Sequence, residues 1–246
     1  MTTTKILESF KAKKGQIAVL IDPDKVQDEK KLLELLEKAR FADVDYFFVG
    51  GSTATRLEVE YVVNFLKSNS IIPVVLFPGH PQQLSEKADA LLYLSLISGR
   101  NPDFLIGHHV NSAQEVNDLI LEKIPTSYIL IDGGTKSSVA YVSQTTPIPN
   151  TQIKIAVNTA LAGSLQGKKI TYFDAGSGAK QAVKEELILE TQKQIDTPII
   201  VGGGIKSYST LCALKAANVL VIGNKLEENI DFLLDIKQFK KESEAI

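Results

Sequence analysis

Apolar residues along the chain fall into eight short runs, and between most of these runs apolar positions recur at helical spacing. Short continuous apolar runs mark strands buried on both faces, whereas recurrence every three to four residues marks one face of a helix. The strands are expected at 16–21, 44–49, 73–77, 88–94 and 127–131, in a run from Lys169 into Tyr172-Phe173-Asp174, and at 199–201 and 219–222. Helices are expected at 5–14, 28–40, 56–69, 112–123, 153–166, 180–195, 207–217 and 226–239, with a frayed tail at 240–246. Strands that alternate with helices build a parallel sheet. Eight such units in 246 residues match an α/β fold, the closed (β/α)₈ TIM barrel of about 250 residues, with 1–246 as a single domain. The competing architecture is an open doubly wound sheet, which is disfavoured because no G-x-G-x-x-G follows the first strand. One irregularity interrupts the rhythm. Only Gln82 to Lys87 separates strands three and four, so the third helix is expected to be shortened or missing.

Composition narrows the class. Hydrophobic residues make up 44% and charged residues 23% of the chain, and the formal net charge is −2. No basic field points to nucleic acid. The one cysteine, Cys212, permits no internal disulfide and reads as packing on a helix, consistent with a cytoplasmic protein. The start, Met1 to Lys5, has no apolar signal-like segment. No apolar run approaches the roughly 20 residues that span a bilayer. The amphipathic 5–14 segment reads as a cap on the barrel; a transient membrane-surface contact is its other reading.

The chemistry gathers at the ends of the last three strands. Tyr172-Phe173-Asp174-Ala175-Gly176-Ser177-Gly178-Ala179, Val201-Gly202-Gly203-Gly204-Ile205 and Ile222-Gly223-Asn224 each close a strand with glycine ahead of an expected helix. Glycine lets backbone N–H groups approach a ligand, and a helix N-terminus favours an anion. Three such turns in succession are the phosphate cradle of a barrel. Asp22 and Ser52 stand at the ends of strands one and two. Adjacent strands lie about 4.8 Å apart, so these two oxygens can share a hard cation such as Mg²⁺; Asp22 also reads as a turn residue before Pro23. Lys25 reads either as a phosphate partner or as solvated. Asp174 and Tyr172 share one face of strand six by alternation, and Asp174 is a candidate proton acceptor. Long segments at 95–110, with Ser98-Gly99-Arg100-Asn101-Pro102, and at 135–152 are expected over the same face. His80, His108 and His109 do not read as a zinc set, and Ser177 has no base that would make it a nucleophile.

Taken in order, Asp22-Pro-Asp-Lys25, Val49-Gly-Gly-Ser52, Phe77-Pro-Gly79, the 98–102 segment and the three glycine turns resemble the geranylgeranylglyceryl phosphate synthase family over nearly the whole chain. The resemblance implies a barrel without a proper third helix. It also implies transfer of a prenyl group from a prenyl diphosphate, geranylgeranyl diphosphate in the type reaction, to the primary hydroxyl of sn-glycerol 1-phosphate. By resemblance Asp22 and Ser52 hold Mg²⁺, and Tyr172 to Gly178, Gly202, Gly203, Gly223 and Asn224 hold the glycerol phosphate. Asp174 and Tyr172 are then the catalytic pair, Arg100 is a candidate for extra charge at the leaving group, and the assembly is a homo-oligomer, a dimer or hexamer. Two positions depart from the family. Its Tyr-Leu-Glu is here Tyr172-Phe173-Asp174, a carboxylate shorter by one C–C bond, about 1.5 Å, and the Lys that some bacterial members carry two residues before the metal-binding Asp is here Leu20. The rival readings are another barrel enzyme of phosphorylated metabolites and a non-catalytic phosphosugar-binding protein. A long apolar groove separates the synthase from both.

Overall fold

The structure, a computed structural model, describes residues 5–26 and 28–244. The reading of the N-terminus at 1–4 and the last two residues of the expected tail lie outside the described residues. Eight parallel strands close on themselves in sequence order, with β8 paired to β1. They are β1 (Gln16–Ile21), β2 (Tyr46–Val49), β3 (Val74–Leu76), β4 (Ala90–Leu96), β5 (Glu122–Leu130), β6 (Ile170–Asp174), β7 (Ile199–Gly202) and β8 (Val219–Ile222). Around them lie α2 (Glu29–Phe41), α3 (Arg56–Asn69), α4 (His108–Asp118), the short α5 (Ser138–Val142), α6 (Ile153–Leu165), α7 (Glu185–Gln192), α8 (Tyr208–Ala213), α9 (Asn224–Glu228) and α10 (Phe232–Glu244), while α1 (Ile6–Ala12) precedes the barrel.

Side-chain alternation sorts the core into two layers. Ala18, Tyr46, Phe48, Val75, Leu92, Tyr128, Tyr172, Ile200 and Val221 fill the barrel. Ile17, Val19, Phe47, Val74, Leu91, Ile129, Phe173, Val201 and Leu220 face the surrounding helices. Both layers are apolar, which is why the strands read as unbroken runs. The floor is closed by α1. Ile6 and Phe10 are buried in the inner layer, with the Phe10 ring 4.8 Å from Tyr46 and 6.2 Å from Phe48. Polar groups tie the helix down: Asn218 Nδ2 donates to the Phe10 carbonyl at 3.0 Å, and Ile6 N donates to Glu122 Oε2 at 2.5 Å. The apolar face of α1 therefore packs on the barrel, as its capping reading requires.

Several boundaries differ from the sequence pattern. No helix forms between β3 and β4, as the short 82–87 connection requires. Gln83 occupies the gap instead. Its buried amide donates to the carbonyls of Gly51 and Ala54 at 2.9 and 2.7 Å and accepts from Gly79 N at 2.8 Å. The helix expected at 112–123 begins earlier and ends at Asp118, because β5 starts at Glu122 and runs beside β4 from Ala90↔Glu122 to Leu96↔Tyr128. Pro125 sits within this strand and supplies a carbonyl to Lys169 N at 2.7 Å. The expected 226–239 helix is two helices, split where Asn229 Oδ1 accepts from Asp231 N at 3.0 Å. The tail is not frayed through 244, because α10 carries buried Lys240 onto Asp45 Oδ2 at 2.5 Å. No described helix is long and apolar enough to cross a membrane.

Phe10 is fully buried and holds the floor through ring contacts. Phe10→Ala is expected to lower unfolding free energy by about 3–5 kcal/mol, read from urea denaturation. A loss below about 1 kcal/mol would mean that the floor is not part of the cooperative core.

Candidate functional site

All eight strands point their C-terminal ends to one mouth, and a cavity of about 310 Å³ opens there. Asp22, Ser52, Tyr172, Asp174, Ser177, Gly178, Gly203, Gly223 and Asn224 line it. Other predicted residues contribute no side chain. Phe173 and Ala175 alternate outward and are buried in the helix-facing layer. Gly176 and Gly202 are backbone positions: a Cβ at Gly202 would lie 2.4 Å from the Tyr172 hydroxyl, and one at Gly176 would lie 2.7 Å from Ser137 Cβ.

The glycine turns are packed directly on one another. Gly203 has φ +79, and a Cβ there would meet the backbone N and O of Gly176 at 2.7 Å. Only glycine tolerates both the left-handed backbone and this approach. The expected helix at 180 is displaced, however. Lys180 N and Gln181 N donate to the Gly133 carbonyl at 2.8 and 3.2 Å, and Lys184 N donates to Asn150 Oδ1 at 3.3 Å. These bonds hold 175–184 as a turn, so α7 starts only at Glu185. The helix that opens at the mouth is α9, which begins at Asn224. Asn224 Oδ1 accepts from Ser177 Oγ at 2.9 Å and from Gly178 N at 3.3 Å, joining the sixth and eighth strand ends. The cradle is thus made of two glycine turns and a short helix after the last strand, the usual barrel arrangement for a phosphate. Lys206 and Lys225 line the same rim.

Beside the cradle, at the end of β1, which pairs with β8, Asp22 lies against backbone. A Cβ at Gly51 would fall 2.0 Å from Asp22 Oδ1. Asp22 Oδ1 is buried with no hydrogen-bond partner, while Oδ2 faces Lys25 Nζ at 3.5 Å. Burial, followed by the neighbouring Asp24 carboxyl, pushes Asp22 up to about 7. Asp24 is held below the usual carboxylate range, first by its hydrogen bond with Asp22 and then by the Thr53 hydroxyl. Lys25 is not merely solvated: its Nζ bonds both oxygens of Glu227 on α9 at 3.1 and 3.0 Å. Among the described residues no three His, Cys, Asp or Glu side chains converge as a metal set. A cation at Asp22 would take one or two protein oxygens and draw the rest from a ligand.

Inside the mouth lies a group of rings and one carboxylate. Tyr172 stacks on Phe77 with centroids 5.1 Å apart and an interplanar angle of 15°. Asp174 is half-buried; its Oδ1 accepts from Gly176 N at 2.7 Å and its Oδ2 accepts from the Tyr128 phenol. Burial raises the Asp174 carboxyl above its ordinary value, and these two bonds oppose the rise. Tyr128 is the residue the sequence reading missed. The run 127–131 read only as core, although register pairs Tyr128 with Tyr172 and alternation points both inward.

The cavity also branches sideways. Leu91 and Tyr93 on the outer face of β4 line it together with Leu84, Phe104 and Val116. The branch runs between the outer face of β4 and α4, which carries Val116. His109 packs against Tyr93 with centroids 4.3 Å apart and bonds the Leu94 carbonyl at 2.8 Å through Nε2. His108 stands 5.7 Å from His80. Burial lowers both His80 and His109 from their usual values. Arg100 does not reach the mouth. It bonds the Gly99 carbonyl at 2.6 Å and lines a separate hollow beside α6. Its neighbours explain the 98–102 motif structurally: Ser98 Oγ accepts from Leu130 N at 3.0 Å, and Asn101 Nδ2 donates to the Ser143 carbonyl at 3.1 Å.

Residues 10–242 match the model of the PcrB family. The chain belongs to the PcrB family. Relatives of this PcrB-family chain include the geranylgeranylglyceryl phosphate synthase of Chitinophaga pinensis, 45% identical over 94% of each chain. The enzyme of that name from Zunongwangia profunda is 46% identical over 90% of this chain and 95% of its own. Among solved structures, (S)-3-O-geranylgeranylglyceryl phosphate synthase from Thermoplasma acidophilum, in complex with its substrate sn-glycerol-1-phosphate, superposes with a TM-score of 0.89. That structure is 30% identical and covers 98% of this chain and 100% of its own.

Ser177 sits in the cradle with its hydroxyl on Asn224. Ser177→Asp would place a negative charge where an anion is expected, at an interaction energy of several kcal/mol for about 4–5 Å in a partly buried site. Affinity for inorganic phosphate or glycerol phosphate, measured by calorimetry, is expected to fall at least about tenfold. Unchanged affinity would show that the cradle is misplaced.

Proposed function

We propose that the protein joins geranylgeranyl diphosphate to the C3 hydroxyl of sn-glycerol 1-phosphate, yielding 3-O-geranylgeranyl-sn-glyceryl 1-phosphate and diphosphate. One observation carries this reading beyond the family: the phosphate cradle and an apolar branch open into a single cavity. A barrel enzyme of small phosphorylated metabolites, or a phosphosugar-binding protein, has no use for Leu84, Leu91, Phe104 and Val116 beside its cradle. A prenyl chain does, since each buried CH₂ contributes about 0.8 kcal/mol.

The glycerol phosphate is anchored through its phosphate by the turns at Gly176–Gly178 and Gly203 and by Asn224. This turns its free hydroxyl toward Tyr172 and Asp174 and makes the encounter with the prenyl carbon effectively intramolecular. A carbon–oxygen bond forms between that hydroxyl oxygen and the prenyl C1. The bond from C1 to the diphosphate oxygen breaks, and its electron pair leaves with diphosphate. The hydroxyl proton passes to Asp174. The stacked rings of Tyr172 and Phe77 exclude water from the electron-poor carbon. Asp22 and Ser52 are the residues we assign to Mg²⁺. The assignment is supported by the unpartnered, buried Asp22 Oδ1 and by the backbone hollow at Gly51 that receives it. Such an ion, when bound, supplies Lewis-acid charge to the leaving diphosphate.

A homo-oligomer, dimer or hexamer, belongs to the same reading. It is supported by α6, a helix apolar on most sides that leaves Ile155 51% and Leu165 81% exposed, more than a solvated helix face normally carries. We assign the reaction to the cytoplasm, a reading supported by the lone cysteine, Cys212, which forms no disulfide within the chain.

The test is ether formation from each glycerol phosphate enantiomer with prenyl diphosphates of increasing length. Product from sn-glycerol 1-phosphate alone, with the C20 donor preferred, is expected. Binding without ether from any pair would return the chain to the binding-protein reading. Asp22→Asn is expected to lower Mg²⁺-dependent turnover by at least about a hundredfold, with glycerol phosphate affinity within about twofold of wild type. Wild-type turnover in this variant would remove the metal assignment.

A further inference from the structure

Asp174 has both carboxylate oxygens engaged by the protein itself. Gly176 N–H donates to Oδ1 at 2.7 Å, and the Tyr128 phenol donates to Oδ2. The two donors come from different strand ends, one from the cradle turn after β6 and one from the inner face of β5. A carboxylate has only two side-chain torsions, so donors at both oxygens fix its plane as well as its position. Tyr128 is itself immobilised. It is 5% exposed, and its ring packs edge-on against Tyr172 at 5.4 Å and Phe77 at 5.7 Å. These are the same two rings that line the cavity beside Asp174.

We propose that Tyr128 is a positioning residue for prenyl transfer, its phenol locking the Asp174 carboxylate beside the glycine cradle with a free lone pair turned to the glycerol phosphate hydroxyl. The inference rests on the reaction assigned above. Aspartate is short, and a misplacement of about 1 Å at the reacting atoms costs on the order of a hundredfold in rate; a second donor at Oδ2 removes the rotation that would allow it. The phenol has a further effect. Burial drives Asp174 toward its neutral form, and the Tyr128 and Gly176 bonds oppose that drift, keeping the carboxylate able to accept a proton. Tyr128 keeps its own proton throughout, because burial holds its phenol well above its ordinary range. The proton given up by the hydroxyl as the ether bond forms therefore ends on Asp174.

The sign of the pH effect follows. Loss of the Tyr128 bond removes an influence that lowers the Asp174 carboxyl, so the acid limb of kcat moves to higher pH. The experiment compares wild type, Tyr128→Phe, Asp174→Asn and the double variant for kcat, KM for sn-glycerol 1-phosphate and the pH profile of kcat. Tyr128→Phe keeps the ring and its packing. It is expected to lower kcat by at least about tenfold, leave KM within about twofold and move the acid limb up by about one pH unit. In the Asp174→Asn background the same change is expected to cost less than about twofold, because both residues act through one group. A fluorinated tyrosine at position 128, a stronger donor with the ring retained, is expected to move the acid limb the opposite way. Wild-type kcat and an unmoved acid limb in Tyr128→Phe would overturn the proposal. So would a full tenfold loss on top of Asp174→Asn, since Tyr128 would then act independently of the carboxylate. Absence of ether from the wild type would remove the reaction on which the inference rests.

Discussion

The mouth of this barrel depends on backbone touching backbone. Gly203 lies against Gly176 and Ala175, Gly204 against Gln181 and Ala182, and Gly133 against Ala175 and Ala179, with less room than a methyl group needs. With side chains absent, the carbonyls and N–H groups of neighbouring strand ends bond directly. The Gly133 carbonyl takes two N–H groups of the 175–184 turn, and Ala175 N reaches the Gly202 carbonyl at 2.9 Å. The turns are stiff for that reason. A stiff turn loses little entropy when it closes on an anion, which is the advantage of a preorganised site.

The same economy of side chains separates two kinds of chemistry in one cavity. The glycine turns and Asn224 stand at the ends of the sixth, seventh and eighth strands, and the unpartnered carboxylate of Asp22 at the end of the adjoining first strand. On the β3 and β4 side the lining is mostly rings and aliphatic groups. There the cavity runs on between the outer face of β4 and α4, which lengthens its apolar side. Gln83 ties this arrangement together, because its single amide bonds backbone groups of Gly51 and Ala54 after β2 and of Gly79 after β3.

Most of this was legible in the sequence where local pattern and global fold agree. Unbroken apolar runs gave all eight strands, and glycine at their ends marked the cradle. The short 82–87 segment told of the missing helix by length alone. What escaped notice was decided by contacts between distant segments. The start of α7 is set by carbonyls of the Gly133 loop, and β5 extends back to Glu122 because β4 lies beside it. Tyr128 reads as one more apolar residue until register sets it beside Tyr172 and below Asp174. Arg100 reads as a charge for the mouth, yet the turn at Gly99 directs it to the outer side of the barrel.

The floor helix carries a consequence for how the chain acquires its shape. Ile6 is tied to Glu122 and Phe10 to Asn218, across separations of 116 and 208 residues. During synthesis α1 leaves the ribosome first, but its partners appear only after half and then nearly all of the chain has followed. Its apolar face must wait, uncovered, until the ring closes. Contacts of such long range slow folding and prolong the exposure of sticky surface. Lys11, Lys13 and Lys14 add charge at the end of that segment, and charge flanking an apolar stretch opposes aggregation while the stretch stays uncovered.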